Sequence, residues 1–97
     1  MLVEFHPEAV EELLEAKNWY EVQSINLAKR FVAEIEHAIT HIQKFPLRWR
    51  IYKNDVRWFH IHRFPFSIIY RATQTHIQVL AVMHQRRKPF YWKNRLE

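Results

Sequence analysis

The chain has no cysteine and no glycine in its 97 residues. Without cysteine there is no disulfide and no thiolate metal site. That suits a reducing compartment, and a cytoplasmic location is expected. Without glycine the phosphate-cradling loops of nucleotide-binding proteins are excluded, and no cofactor is expected. Tight turns must fall to Asn, Asp or longer loops. Long apolar runs are lacking too. None approaches the ~18 residues of a membrane span, and residues 1–5 are too short for a signal peptide and run straight into an acidic segment. The length suits a single domain over 1–97, with a core large enough to fold alone but not generous.

Acids are scarce in the second half. Residues 45–97 carry eleven Lys and Arg but only Asp55 and Glu97, whereas residues 1–44 carry eight Glu against four bases. The net charge of +5 therefore hides two halves of opposite sign. A basic half implies an anionic partner, either nucleic acid or an acidic protein surface.

The acidic half reads as two helices. Pro7 suits a first helical turn, and Glu8, Glu11 and Glu12 complement the positive end of the helix dipole. Val10, Leu13, Leu14, Ala16 and Tyr20 recur at three- and four-residue spacing, so a helix is expected over 7–22. Ser24 can cap a second helix. The stripe Leu27, Phe31, Ile35, Ala38, Ile39 and Ile42 carries it over 25–44, before Pro46. The short break between them makes a helical hairpin.

Strands are expected around it. Residues 2–6 alternate apolar and polar, as do residues 56–62. Residues 66–71 and 77–83 are apolar and β-branched, with a turn at Thr73-Gln74-Thr75. Residues 45–50 read as a basic-aromatic loop and Lys53-Asn54-Asp55 as a turn. The pattern is β-α-α-β-β-β, an α+β fold with an antiparallel meander sheet packed on an N-terminal helical hairpin. Two histidine pairs stand out. His37 and His41 are one helical turn apart but lack a carboxylate at matching spacing, so a solvated face outweighs a metal site. His60 and His62 are expected on one strand face, half-exposed.

The densest chemistry is the C-terminal run His84-Gln85-Arg86-Arg87-Lys88-Pro89-Phe90-Tyr91-Trp92. Cations there can hold phosphate or carboxylate, and the aromatics can stack on bases or fill a partner's pocket. The alternative is a solvated basic tail with its aromatics folded back on the core.

Several segments together resemble the RelE/ParE superfamily of toxins. They are Ala16-Lys17-Asn18-Trp19-Tyr20-Glu21, Leu27-Ala28-Lys29-Arg30-Phe31 with Glu34-Ile35-Glu36, and Arg63-Phe64-Pro65-Phe66-Ser67-Ile68-Ile69-Tyr70-Arg71. The ending from Ala81 to Trp92 is similar to the "AV.H.RR.P.YW" of the ParE-like plasmid-stabilisation branch, except that Phe90 stands where Gly is usual. The resemblance implies a β-α-α-β-β-β fold and a bacterial type II toxin–antitoxin module. The toxin arrests growth until a cognate antitoxin wraps it, and operator DNA is met only through that antitoxin. RelE-like members cut messenger RNA on the ribosome; ParE-like members inhibit DNA gyrase without chemistry of their own.

The residues weigh between these. The resemblance places Ser67 and Gln85 where the nucleases carry Arg, and a hydroxyl or amide cannot replace a fixed cation on phosphate. Tyr91 and Arg87 match residues of the nuclease tail. The ParE-like reading is therefore preferred, with Arg57, Arg63, Arg86, Arg87, Lys88, Tyr91 and Trp92 as contacts for target or antitoxin. The nuclease reading keeps His84 and Tyr91 as an acid–base pair and Arg87 on the phosphate. A third reading is a plain nucleic-acid-binding module. In it Arg57, Arg63, Arg71 and the tail track phosphates, and Trp49, Trp58 and Trp92 stack on single strands.

Overall fold

Pro7 supplies the first helical residue of α1 (Pro7–Gln23) in a computed structural model that describes residues 1–96 of the chain. His6 caps that helix, its Nδ1 accepting from the Glu8 N–H at 3.1 Å. Ser24 then serves two helices. Its N–H donates to the Tyr20 carbonyl at 2.8 Å, closing α1, and its hydroxyl accepts from the Leu27 N–H at 3.3 Å, opening α2 (Ile25–Lys44). The second helix keeps its expected bounds and the first gains one residue. α2 buries Ala28, Phe31, Ile35, Ala38 and Ile42, a single stripe at helical spacing. α1 differs. Ala9 and Ala16 are buried, yet Val10, Leu14, Trp19 and Val22 are exposed, so its apolar residues are not confined to the core side.

The strands are β1 (Leu2–Phe5), β2 (Arg50–Lys53), β3 (Val56–His60), β4 (Phe66–Ala72) and β5 (His76–His84). They form one sheet in the order β1-β5-β4-β3-β2. β2 to β5 make an antiparallel meander, and β1 joins it in parallel beside β5. The expected α+β architecture holds, with one strand added. β2 takes Arg50 from the expected loop and Lys53 from the expected turn, and its four residues are too few to show a clear period. Asn54 closes the β2–β3 hairpin with φ 56°, the left-handed conformation that Asn tolerates where glycine is missing. A second correction concerns the histidines. β3 ends at His60, and His62 falls in the following turn, so the two do not share a strand face.

Both faces of the sheet are covered. On one, Phe31, Ile35 and Ile42 of α2 pack with Phe66, Ile68, Tyr70, Ile77 and Val79. On the other, Trp92 of the C-terminal tail packs with Val56, Ile69, Leu80, Ala81 and Met83. A bulge in β5 makes this possible. The register shifts opposite Ile69 and Tyr70, so Val79 and Val82 both face the helices while Leu80 and Ala81 both join the tail side.

The Tyr70 hydroxyl donates to the Pro46 carbonyl at 2.6 Å, and burial pushes its pKa up to about 12 from 10.0. The folded chain thus holds a proton that the unfolded chain releases near pH 10. The Tyr70 contribution is fully present below pH 10.0 and is lost as pH rises toward about 12. Denaturant melts at stepped pH should show stability falling through that window. Tyr70→Phe should lessen the fall. A Tyr70 phenolate absorbing near pH 10 in the native fold would contradict the burial.

Candidate functional site

β5 ends where the tail begins, and local hydrogen bonds fold the junction. The His84 carbonyl accepts from the Arg87 N–H at 2.9 Å, and His84 Nδ1 accepts from the Arg86 N–H at 3.0 Å. The Gln85 N–H donates to the Pro65 carbonyl at 2.9 Å, pinning the junction to the β3–β4 turn. That turn holds Arg63, exposed and at φ 69°. Arg63, Arg86, Arg87 and Lys88 are thus exposed cations at one end of the sheet. The Arg87 guanidinium lies 3.8 Å from the centre of the Tyr91 ring, a cation–π contact that partly fixes its direction.

Beneath this cluster Glu12 of α1 ties helix, strand and tail together. Its Oε1 accepts from the Val82 N–H at 3.0 Å and from Arg95 Nη1 at 2.9 Å. Its Oε2 accepts from the Tyr91 hydroxyl at 2.7 Å and from Arg95 Nη2 at 3.2 Å. Arg95 also donates to the Leu80 carbonyl at 3.0 Å and pairs through Nε with Glu8 at 3.2 Å. The Arg95 side chain is only 7% exposed. These contacts explain how the β5 edge is satisfied where β1 stops: past Phe5 and Val79, side chains from α1 and the tail take over from a neighbouring strand.

Beside Glu12 opens a cleft of about 420 Å³ between α1 and the end of β5. Ala16, Trp19 and Tyr20 form one wall, Phe66 and Val82 another, and His84, Arg87 and Tyr91 the mouth. The structure therefore brings together the three residues of the nuclease reading. Their chemistry is uneven. Tyr91 is pushed well above the ordinary phenol range, first by burial and then by its hydrogen bond to Glu12. Near neutral pH it is a protonated donor already committed to a carboxylate. His84 sits half-buried, edge-on to Phe66 at 5.0 Å between ring centres.

Other expected site residues lie elsewhere. Arg57 is near the start of β3, where Nη1 donates to the Trp49 carbonyl at 2.8 Å, and it does not line the cleft. Trp92 is corrected outright: at 1% exposure it is core, because the sheet face it covers is apolar. Ser67 and Gln85 face the opposite side of the sheet with Arg50, Trp58 and His60, and the Ser67 hydroxyl is 3.2 Å from His60 Nδ1. Phe90 adopts φ 64°, the left-handed conformation that favours glycine. Its ring lies 4.9 Å from that of Tyr52 and 5.7 Å from that of Trp92, packing that offsets the backbone cost. Sequence reasoning missed the roles of Glu12 and Arg95. Glu12 is one of five glutamates between Glu4 and Glu15, and nothing in that run marks it as the buried one.

The chain matches a family model described as "ParE toxin of type II toxin-antitoxin system, parDE" over residues 3–89. No curated protein sequence matches it. Among solved structures it is similar to one from P. aeruginosa described as "Chromosomal ParDE TA system", with a TM-score of 0.61 and 17% sequence identity. That alignment covers 87% of this chain and 95% of the other, and at this identity it speaks to the fold.

Proposed function

The chain belongs to the ParE toxin family of type II toxin–antitoxin systems, and from that premise we propose that it arrests bacterial growth by gripping a protein target, DNA gyrase foremost, rather than by chemistry. One observation carries the reading: Tyr91, one half of the acid–base pair that a nuclease would need, is held as a donor to Glu12. General acid–base catalysis needs a group that exchanges its proton near the working pH, and Tyr91 is pushed away from that range. The exposed cations Arg63, Arg86, Arg87 and Lys88 then act as contacts for acidic surfaces of the target or of the cognate antitoxin.

The ribosome-dependent nuclease is the second reading, favoured by the meeting of His84, Arg87 and Tyr91 at one cleft. Two assays on antitoxin-free protein separate them. Inhibition of gyrase supercoiling, with intact messenger RNA in the presence of ribosomes, is the expected result. Arg86→Glu with Arg87→Glu should weaken that inhibition at least tenfold, since each reversed charge turns an attraction into a repulsion. Cleavage of ribosome-bound RNA, abolished by His84→Ala, would overturn the proposal in favour of the nuclease.

A further inference from the structure

Another cavity lies on the tail side of the sheet, between the β2–β3 hairpin and the final turn Lys93–Leu96. It encloses about 290 Å³ and shares no lining residue with the cleft beside Glu12. Val56, Phe90, Trp92 and Leu96 give it apolar walls, and Lys53 and Lys93 stand at its rim. Its donors are in excess. Both lysines are exposed, and among the described residues neither pairs with a carboxylate, not even the neighbouring Asp55. Lys53 Nζ lies 5.1 Å from the centre of the Phe90 ring, so its charge is held against an apolar wall. Trp92 is buried, yet its indole N–H has no acceptor among the described residues. Arg71 adjoins the cavity. It stands opposite Val56 in the β3–β4 ladder, so the two side chains share a sheet face. Its Nη2 donates to Gln78 Oε1 at 2.7 Å and to the carbonyl of Leu96 at 3.4 Å, while its Nε has no acceptor. Buried donors without acceptors are costly and few in native folds, and here two border one cationic cavity.

We propose that this cavity binds a small aromatic carboxylate, with its ring against Phe90, Trp92 and Val56 and its carboxylate toward Lys53, Lys93 and the Trp92 indole N–H. Two ammonium groups and an unmet N–H call for an anion with more than one oxygen. The apolar walls call for a flat apolar body, which gains by burial there. The volume is at the lower end of ligand sites, so it suits one ring with an acidic group and leaves no room for a nucleotide. The indole nitrogen is closed to solvent, so its partner is a group seated inside the cavity rather than at the mouth. An occupant would tie Lys53 of the β2–β3 hairpin to Phe90, Trp92 and Lys93 of the tail. The site stands independently of the growth-arrest reading, since it uses none of the cations assigned to the target.

The test is a titration of the whole chain with phenylacetate, followed through the indole N–H resonances by NMR. The chain has four Trp, and the signal missing from Trp92→Phe identifies that of Trp92. A saturable shift of the Trp92 resonance is expected, with a dissociation constant on the order of 1 mM, within reach of a ligand of about ten heavy atoms. Phenylacetamide has the same shape without the charge and should bind at least tenfold more weakly. Lys53→Gln with Lys93→Gln should weaken phenylacetate at least tenfold too. Both lysines are exposed, so this variant keeps the fold, and its unchanged melt checks that. No saturable shift at concentrations about fiftyfold above the expected constant overturns the site. Equal binding of phenylacetamide, or unchanged binding by the double variant, overturns the carboxylate assignment. Acetate that shifts the Trp92 resonance as strongly at the same concentration would reduce the effect to general anion binding, against the proposal.

Discussion

Glu12→Ala is expected to cost about 4 kcal/mol of folding stability, a large share of the ~5–15 kcal/mol that a domain this size possesses. The reason is what it strands. The substitution leaves the Arg95 guanidinium buried without its bidentate partner, and the Tyr91 hydroxyl and Val82 N–H without an acceptor. Removing one member of a buried pair costs roughly 3–5 kcal/mol because the other charge stays desolvated. The melting temperature should drop by on the order of 20 °C. Arg95→Ala should cost less, since Glu12 keeps Tyr91 and Val82 as donors. A double replacement, Glu12→Leu with Arg95→Met, should recover only part of the loss, because it removes the stranded charge but still leaves the Tyr91 hydroxyl, the Val82 N–H and the Leu80 carbonyl without their partners. Chemical denaturation of the four proteins measures each term. If Glu12→Ala melts within about 1 kcal/mol of the parent, the pair is not the clasp described.

Trp92→Ala is expected to cost about 3–5 kcal/mol, the usual range for emptying a buried Trp site. Trp92 is 1% exposed and fills the space over Val56, Ile69, Leu80 and Ala81. The rings of Tyr52 and Phe90 stand 5.7 Å from it, so they would lose a packing partner as well. Trp92→Phe should keep most of the stability, since a smaller ring still fills much of the site. The functional consequence is specific. At denaturant-free temperatures well below the melt, the folded fraction of Trp92→Ala should bind the antitoxin within a few-fold of the parent. An unchanged melt with binding lost would reverse the assignment and return Trp92 to the contact surface. Of the aromatic pair in the tail, Tyr91 faces the cleft and Trp92 the core. Their neighbouring positions lead in opposite directions because the tail turns between them.

Much of this protein was legible before any coordinates. The α2 stripe, the Ser24 break, Pro7 as a helix start and the apolar runs of β4 and β5 follow from periodicity, which reflects burial on one side of a regular element. The missing glycine sent one left-handed turn position to Asn54, as its side chain allows, but Arg63 and Phe90 take the same conformation, which local preference does not mark. The basic character of the second half likewise stood in the composition, and the family ending marked the tail. β2 escaped because a four-residue edge strand buries too little to impose a pattern. The bulge in β5 escaped because an apolar run reads the same whichever face each residue takes.

For the tail, composition by itself determined that cations and aromatics would gather after the last strand. Only the tertiary structure decided which of them are free. Arg95 and Glu12 are 83 positions apart and meet through the fold. Tyr91 is bound to that pair, Trp92 is core, and Arg86, Arg87 and Lys88 are left to solvent. Local sequence carries the intrinsic preference of each residue. Which charge is buried, and which stays exposed beside it, depends on contacts between distant segments, and these exist only once the chain has closed.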